Sequence, residues 1–262
     1  MFTGVLVYMG KIEEDKRHTV LLITGCISPD SKTPQLVLTN SLMRRQQYID
    51  SIKYYIEHAN VDNIVYCDNS GANDEQELSE LAKKRGKRFE WISFYGDTKK
   101  TVQFGKGFGE CEIVNYALRY SNLIKHCEYL VKVTGRLVIK NLNILLKLSK
   151  RGICFCPNKT EDNRLYINTR IYMMPIETYY SYFQKAVDYV DDTNNVYLEH
   201  AFGICVENNR VPFKKFAFAP WVEGISGSTG REYKPSVMSY LKDDIKLRIY
   251  RIDSKGTNVD GK

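Results

Sequence analysis

The chain has 262 residues, of which 43% are apolar and 26% are charged. This composition supports a sizeable folded core and is not that of a disordered chain. No run of about 18 apolar residues occurs, and charged residues follow the N-terminus too soon for a secretory signal peptide, so we expect a cytoplasmic protein. The net charge of +7 favours an anionic partner. It is spread along the chain without the interleaved basic and aromatic residues of an RNA-binding module, so nucleic acid is not expected.

No linker rich in Pro, Ser or Gly divides the chain, and no internal repeat occurs. We therefore predict a single domain over residues 1–262, in which residues 237–262 form a C-terminal helix and a flexible tail. The seven cysteines form an odd set without paired C-x2-C spacing. This pattern predicts buried free thiols rather than disulfides or a zinc site.

Strands and helices alternate along the first part of the sequence. The apolar run TVLLITGCI, residues 19–27, predicts a strand, and a helix with Asn40 or Ser41 as its N-cap follows over residues 38–59. Further strands are predicted at residues 63–71, 89–96 and 128–135, and further helices at 74–86, 109–121 and 141–150. This alternation favours an α/β fold of Rossmann type, with a central, mostly parallel sheet between layers of helices.

The later part of the sequence continues with less regular spacing. Strands are predicted near residues 152–157, 164–174 and 213–221, and helices near 176–190, 195–205 and 238–255. In a parallel sheet, ligands bind beyond the carboxyl ends of the strands. The polar residues that follow the predicted strands are therefore the first candidates for a site.

Two strand ends carry small polar side chains. Thr24 stands at the end of the first strand, and Asp68, Asn69 and Ser70 follow the second. Such side chains can contact a ribose or a base, and they can equally cap the next helix. Both interpretations remain open from the residues alone.

A glycine-containing turn, FGKGFGEC, precedes the helix predicted at 109–121. Its backbone amides and Lys106 can approach a phosphate at the start of that helix. The glycines match neither the GxGxxG nor the GxxxxGK[ST] spacing, so an ordinary flexible turn remains the alternative.

The stretch YLVKVTGRL, residues 129–137, runs from an apolar strand into a Gly-Arg pair. Alternation predicts that Lys132, Thr134 and Arg136 share one face of the extended segment. Beside Gly135, which allows a close backbone approach, Arg136 can bind a diphosphate through two parallel hydrogen bonds. An arginine at a strand end that pairs with a surface carboxylate is the alternative.

Two later segments carry further candidates. In YLEHAFG, Glu199 or His200 can act as a base toward an acceptor hydroxyl, although a solvent-facing glutamate is also consistent with the sequence. The segment WVEGISGSTGREY contains Ser226 and Ser228 and predicts either a mobile lid that contacts an acceptor or an ordinary surface loop. The acidic doublet at 191–192 is interpreted as a loop or helix cap, and the doublet at 243–244 as a solvated helix face.

Taken in order, these segments resemble nucleotide-sugar-dependent glycosyltransferases of the GT-A type over residues 19–230, in particular bacterial enzymes of capsule and lipopolysaccharide assembly. IVYCDNSGAND resembles a strand end of that family, which implies that Asp68 and Asn69 lie near the nucleotide. GKGFGECEIVNYALRYS is similar to the turn and helix that precede the family's metal-binding Asp-x-Asp strand. The resemblance implies a GT-A-like fold, a nucleotide diphosphate sugar donor of the UDP-sugar class, and a glycan or lipid-linked acceptor.

The chain departs from that family at the Asp-x-Asp strand, where it has YLVKVTGRL. The resemblance then implies that Lys132 and Arg136 supply the positive charge that Mn²⁺ supplies elsewhere, so no cofactor is expected, although a divalent metal is not excluded. It also implies that Glu199 deprotonates the acceptor.

Two alternatives to this interpretation stay open. A sugar-nucleotide-forming nucleotidyltransferase is disfavoured because the first strand lacks a GxGTR loop, and a non-catalytic polyanion-binding module remains possible. The basic C-terminal helix is expected to pack on its own domain, or to touch the inner face of an anionic membrane or a second subunit of a homodimer.

Overall fold

The computed structural model describes residues 15–34, 36–73, 76–160, 164–227 and 230–250. The strands of this described part are β1 (Thr19–Gly25), β2 (Asn63–Asp68), β3 (Arg88–Ser93), β4 (Tyr129–Thr134), β5 (Leu137–Ile139), β6 (Cys154–Phe155), β7 (Pro157–Lys159), β8 (Leu165–Ile167), β9 (Ile171–Pro175), β10 (Lys214–Lys215), β11 (Val222–Ile225) and β12 (Glu232–Tyr233). The longer helices are α1 (Ser41–His58), α2 (Gln76–Lys84), α3 (Thr98–Phe104), α4 (Lys106–Tyr120), α5 (Leu142–Ser149), α6 (Leu198–Asn209) and α7 (Val237–Ile249).

Within the described residues, a seven-stranded sheet forms the centre of the molecule, in the order β10-β6-β9-β4-β1-β2-β3. The pairs β1–β2, β1–β4, β2–β3 and β10–β6 are parallel. Only β9 runs against its neighbours β4 and β6. The predicted mostly parallel α/β sheet flanked by helices is therefore confirmed.

Both faces of the central sheet are covered, because alternate residues of each strand point to opposite sides. In β1, Val20 and Leu22 pack in the core on the side of α4 and α6. Leu21 and Ile23 pack in the second core, on the side of α1. Continuous apolar runs are the pattern expected for strands that are buried on both faces.

The segment predicted as one helix at 176–190 forms three consecutive helical pieces instead. These are a short α turn, a π turn and a 3-10 turn, at Ile176–Thr178, Tyr179–Phe183 and Gln184–Tyr189. Tyr179, Phe183 and Ala186 are all buried. Their spacing suits an α-helix and these tighter and wider turns alike, so periodicity cannot separate the three.

The strand that carries the Gly-Arg pair ends one residue earlier than the extended segment predicted from sequence. Gly135 and Arg136 form a turn between β4 and β5, and β5 belongs to a small antiparallel sheet with β11 and β12. Gly135 donates its N–H to the carbonyl of Thr24 at 2.9 Å, and a Cβ at this position would collide with that oxygen. The turn therefore requires glycine and brings Arg136 to the point where β1 and β4 end.

The prediction that Lys132, Thr134 and Arg136 share one face is wrong for Arg136. Lys132 contacts Glu110 of α4, whereas Arg136 contacts Gln47 of α1 on the opposite side of the sheet. The reason is the turn at residues 135–136, which interrupts the alternation that an extended strand would continue.

The C-terminal helix begins within one residue of its predicted start at 238 but ends at Ile249, before the predicted end at 255, and residues 251–262 lie outside the described residues. Among the helices that the structure describes, none is long and apolar enough to cross a membrane. All seven cysteines are free thiols, as predicted, but only four of them are buried, because Cys26, Cys127 and Cys156 are partly exposed.

Candidate active site

A cavity of about 760 Å³ opens at the carboxyl ends of β1, β2 and β4. Volumes of this order are typical of small-molecule sites. The structure brings eight of the predicted site residues into its lining: Thr24, Asn69, Ser70, Lys106, Thr134, Arg136, Glu199 and Ser226. Four others, Asp68, Lys132, Gly135 and His200, do not line the cavity, and Ser228 lies outside the described residues.

Asp68 is fully buried behind the cavity wall. Its carboxylate accepts hydrogen bonds from the backbone N–H of Ile27 at 2.8 Å and from the N–H of Ser70 at 2.7 Å. The Oγ of Ser70 donates to it as well, at 2.6 Å. Asp68 thus joins the loops that follow β1 and β2, and it leaves Asn69 and Ser70 to form the surface of the cavity.

Arg136 is more than nine-tenths buried, and it lines the cavity. Nη1 donates to Oε1 of Gln47 at 3.2 Å, and the group lies over the ring of Tyr48 at 5.7 Å. Among the described residues, no carboxylate pairs with Arg136, and its Nε has no hydrogen-bond partner. A buried cation left this incompletely bonded costs free energy, and an anionic ligand would remove that cost.

Lys132 lies on the other face of β4 and is fully buried. Its ammonium is paired with the carboxylate of Glu110 and also donates to Oγ1 of Thr134 at 3.2 Å and to the carbonyl of Thr169 at 2.7 Å. All three donor positions of the ammonium are occupied. Lys132 therefore holds Glu110, whose carboxylate lines the cavity, and has no donor left for a ligand.

Glu199 lies at the start of α6, across Thr169 from this ion pair. Oγ1 of Thr169 donates to Oε1 of Glu199 at 3.1 Å. Burial raises the pKa of Glu199 above its ordinary value, and repulsion from Glu110 raises it further. A carboxylate with a raised pKa binds a proton more readily near neutral pH, as a general base requires.

Asp192 is the carboxylate that packs against the glycine turn. It is 3% exposed, and Oδ2 accepts from the N–H of Gly107 at 3.4 Å, in the first turn of α4. Oδ1 has no hydrogen-bond partner among the described residues. Burial raises its pKa to about 6. The helix start predicted to receive a phosphate thus already holds a carboxylate, while Lys106 beside it still lines the cavity.

His200 is buried at the first turn of α6, where its Nδ1 accepts from the backbone N–H of Tyr197 at 3.1 Å. It acts there as part of the helix cap. Of the two neighbours predicted as possible bases, Glu199 is the one that lines the cavity.

Sequence reasoning missed two carboxylates of the cavity, Glu110 and Asp192. A signal for Glu110 was present, because strand alternation buries Lys132 together with Leu130, and a buried lysine requires an acidic partner. Asp191 does cap a short helical turn, as interpreted from sequence, by accepting from the N–H groups of Thr193 and Asn194. Its neighbour Asp192 points elsewhere, and nothing in the local pattern separates the two.

The part of the chain that the structure describes contains no cluster of three or more His, Cys, Asp or Glu side chains arranged to hold a metal ion. The strand end at which the sequence departs from the Asp-x-Asp of the GT-A type instead carries the ammonium of Lys132 and the hydroxyl of Thr134. An ammonium cannot ligate a cation, and Glu110, the nearest carboxylate to it, is already paired. These residues do not form the donor set that Mn²⁺ prefers.

No protein-family model and no curated protein sequence matches the chain. Among solved structures, it is similar to a candidate nucleotide-diphospho-sugar transferase from Desulfovibrio desulfuricans G20, with a TM-score of 0.40 and 10% identity over 71% of this chain and 75% of that one. It is also similar to the mannosyltransferase Ktr4p of S. cerevisiae, with a TM-score of 0.41 and 10% identity over 71% of this chain and 63% of that one. At such low similarity neither structure assigns a substrate or a reaction to this chain.

Proposed function

We propose that the chain is a glycosyltransferase that moves a sugar from a nucleotide diphosphate sugar to a hydroxyl group of a glycan or lipid-linked acceptor. One observation carries this proposal. The cavity at the strand ends combines a buried, incompletely bonded guanidinium, Arg136, with a carboxylate of raised pKa, Glu199. Transfer from such a donor needs a cation for the leaving diphosphate and a base for the acceptor hydroxyl.

Arg136 is the proposed partner of the diphosphate. Its planar fork can donate two parallel hydrogen bonds to phosphate oxygens, and its burial strengthens the attraction because water does not screen it. Negative charge on the diphosphate increases as its bond to the sugar breaks. A fixed cation at this position therefore stabilises the transition state more than the bound donor.

Glu199 is the proposed base. The bond between the anomeric carbon and the diphosphate oxygen breaks, and the nucleoside diphosphate leaves with the electron pair. The acceptor oxygen bonds to the anomeric carbon and gives its proton to the Glu199 carboxylate. The hydrogen bond from Thr169 orients that carboxylate at the cavity surface.

The nucleoside end of the donor is proposed to lie against Thr24, Asn69 and Ser70, at the ends of β1 and β2. All three line the cavity, and the buried Oδ1 of Asn69 has no hydrogen-bond partner among the described residues. A ribose hydroxyl or a base N–H would satisfy it. UDP is the nucleotide that the sequence resemblance favours, and Ser226, in the loop that covers Arg136, is the proposed acceptor contact.

We further propose that transfer proceeds without a divalent metal. The support is the chemistry of the strand end, where this chain has Lys132 and Thr134 and the GT-A enzymes that its sequence resembles have Asp-x-Asp. Roles in bacterial capsule or lipopolysaccharide synthesis and self-association as a homodimer are predictions that rest on the sequence alone.

A panel of UDP-, GDP- and CMP-sugars, incubated with the purified chain with and without EDTA, tests the proposal. We expect release of a nucleoside diphosphate from one UDP-sugar, at the same rate in EDTA. In a parallel incubation with a nucleoside triphosphate and a sugar phosphate, formation of pyrophosphate would instead indicate a nucleotidyltransferase. Loss of activity in EDTA that Mn²⁺ restores would contradict metal independence. If none of the nucleotide sugars in the panel is turned over, the proposed function is contradicted.

A further inference from the structure

Helix α7 carries an apolar stripe that faces solvent. Val237, Met238, Leu241, Ile245 and Ile249 are between 45% and 67% exposed. At about 100° per residue, these five side chains lie within about 120° of the helix circumference. The side of α7 that packs on the domain carries Leu247, which is buried, and Asp244, which accepts from the N–H of Ala219 at 2.8 Å and lies next to the Val237 edge of the stripe. A continuous exposed stripe of this kind marks an interaction surface.

Basic residues border this stripe. Lys242 and Lys246 lie along one side of it and are exposed, and among the described residues neither pairs with a carboxylate. Arg248 lies within the arc of the stripe, between Val237 and Leu241 around the helix, and is paired with Asp244 at 2.7 Å. Asp243 lies on the far side of the helix from the stripe. An apolar face flanked by lysines is the pattern of a helix that lies in the interface of an anionic membrane.

A second copy of the chain fits this surface less well. In a two-fold dimer the same patch meets itself, so that Lys242 and Lys246 of the two copies would approach one another. Asp244, the acidic side chain of α7 nearest the stripe, is buried and already paired with Arg248, so it does not offset that repulsion. The helix also has 13 residues, a length of about 20 Å that is too short to span a bilayer core of about 30 Å.

The stripe is close to the cavity along the chain. Ile225, Ser226 and Tyr233, in the hairpin of β11 and β12, line the cavity. Three residues, 234–236, connect Tyr233 to Val237 at the start of α7. Such a connection spans at most about 14 Å.

We infer that α7 binds the surface of an anionic membrane and thereby holds the cavity near the lipid headgroups, where an acceptor carried on a lipid is presented. The identity of the acceptor rests on the proposed function. Membrane binding itself does not, because it needs neither donor nor turnover.

Flotation of the full chain with vesicles tests the inference. We expect binding to phosphatidylcholine vesicles that contain phosphatidylglycerol, no binding to phosphatidylcholine alone, and release by added salt. The double variant Leu241→Glu/Ile245→Glu should bind anionic vesicles at least about tenfold more weakly. The double variant Lys242→Glu/Lys246→Glu should also lose binding, by about tenfold.

Two matched controls separate this surface from general effects. Ile144→Glu alters a residue of α5 that is 52% exposed, and Lys83→Glu/Lys84→Glu makes the same charge change on α2. Both should bind like the wild type. The inference is overturned if the wild type ignores anionic vesicles, or if the α7 variants bind like the controls. It is also overturned if light scattering finds a wild-type dimer that Leu241→Glu/Ile245→Glu dissociates. Turnover of a nucleotide sugar is measured separately and is expected to persist in solution.

Discussion

Lys132 and Arg136 come from one short segment and are both buried, yet they lie on opposite sides of the sheet and have different partners. Lys132 is fully buried on the α4 side of β4, where its ammonium has three partners, including Glu110. Arg136 follows the turn and is buried on the α1 side, where one neutral side chain, Gln47, accepts a hydrogen bond from it. The ammonium of Lys132 therefore has no donor left for a ligand, whereas the guanidinium of Arg136 still has unused N–H donors.

The difference teaches that a motif with two positive charges need not use both on a ligand. A buried ion pair such as Lys132–Glu110 fixes the position of the carboxylate, and removing one partner of the pair destabilises the fold. An incompletely paired buried cation such as Arg136 weakens the free protein and strengthens the complex. Variants at the two positions should accordingly separate stability from binding.

The largest effect is expected for Lys132→Met. The variant leaves the carboxylate of Glu110 without its partner, and the free energy of unfolding should fall by about 3 kcal/mol. Urea denaturation measures this change. In the double variant Lys132→Met/Glu110→Gln most of that loss should return, since no unpaired charge remains. A single variant as stable as the wild type would show that the pair does not matter.

Glu199→Gln should come next, with turnover reduced about 100-fold and donor affinity nearly unchanged. The wild-type rate should rise with pH through a pKa above the ordinary value for glutamate, because burial and Glu110 both raise it. Glu110→Gln should move this rise of the rate to lower pH, while Glu199→Gln should abolish the rise. Initial rates across pH measure the turnover and its pH dependence. A rise with pH that is unchanged in Glu199→Gln would exclude this residue as the base.

A smaller effect is expected at Asp192, whose pKa of about 6 lies above the ordinary value. At pH values between the ordinary pKa of aspartate and this raised pKa, the folded chain retains a proton that the unfolded chain has lost. Asp192 therefore makes the free energy of unfolding fall as pH rises. Asp192→Asn should therefore be more stable than the wild type at pH 7, by about 1 to 2 kcal/mol, and the difference should shrink toward pH 4.

Asp191→Asn is the matched control for that prediction. Hydrogen bonds from Thr193 and Asn194 lower the pKa of Asp191, so its contribution has the opposite sign and is lost as pH falls. The variant should be less stable than the wild type at pH 7. Thermal melts of both variants across pH provide the test, and parallel curves for the two would contradict the assignment.

Much of the fold followed from local pattern. The alternation of apolar runs and helical periods predicted the parallel strands, and Asn40 caps α1 by accepting from the N–H of Met43 at 3.0 Å. The strand predicted at 213–221 is much shorter than expected. Only Lys214–Lys215 pairs with a neighbouring strand, β6, at the edge of the sheet. Edge pairing depends on the neighbouring strand, which a local pattern does not contain.

The site was less accessible to sequence reasoning. Residues at the ends of β1, β2 and β4 converge because parallel strands end at one edge, and this was predictable. The pairing of Lys132 with Glu110 and the contact of Asp192 with Gly107 arise from packing between residues 22 and 85 positions apart. The turn at Gly135 depends on the approach of Thr24, which no property of the segment itself reveals.

The measurement that tests the central claim most directly is calorimetric titration of UDP into the wild type, Arg136→Ala and Arg119→Ala, all in EDTA. Arg119 is an exposed arginine of α4 outside the cavity lining. We predict that UDP binds the wild type and Arg119→Ala alike, and that Arg136→Ala binds it at least about tenfold more weakly, with a melting temperature that is not below that of the wild type. Equal affinity in all three proteins would contradict the assignment of Arg136 to the diphosphate.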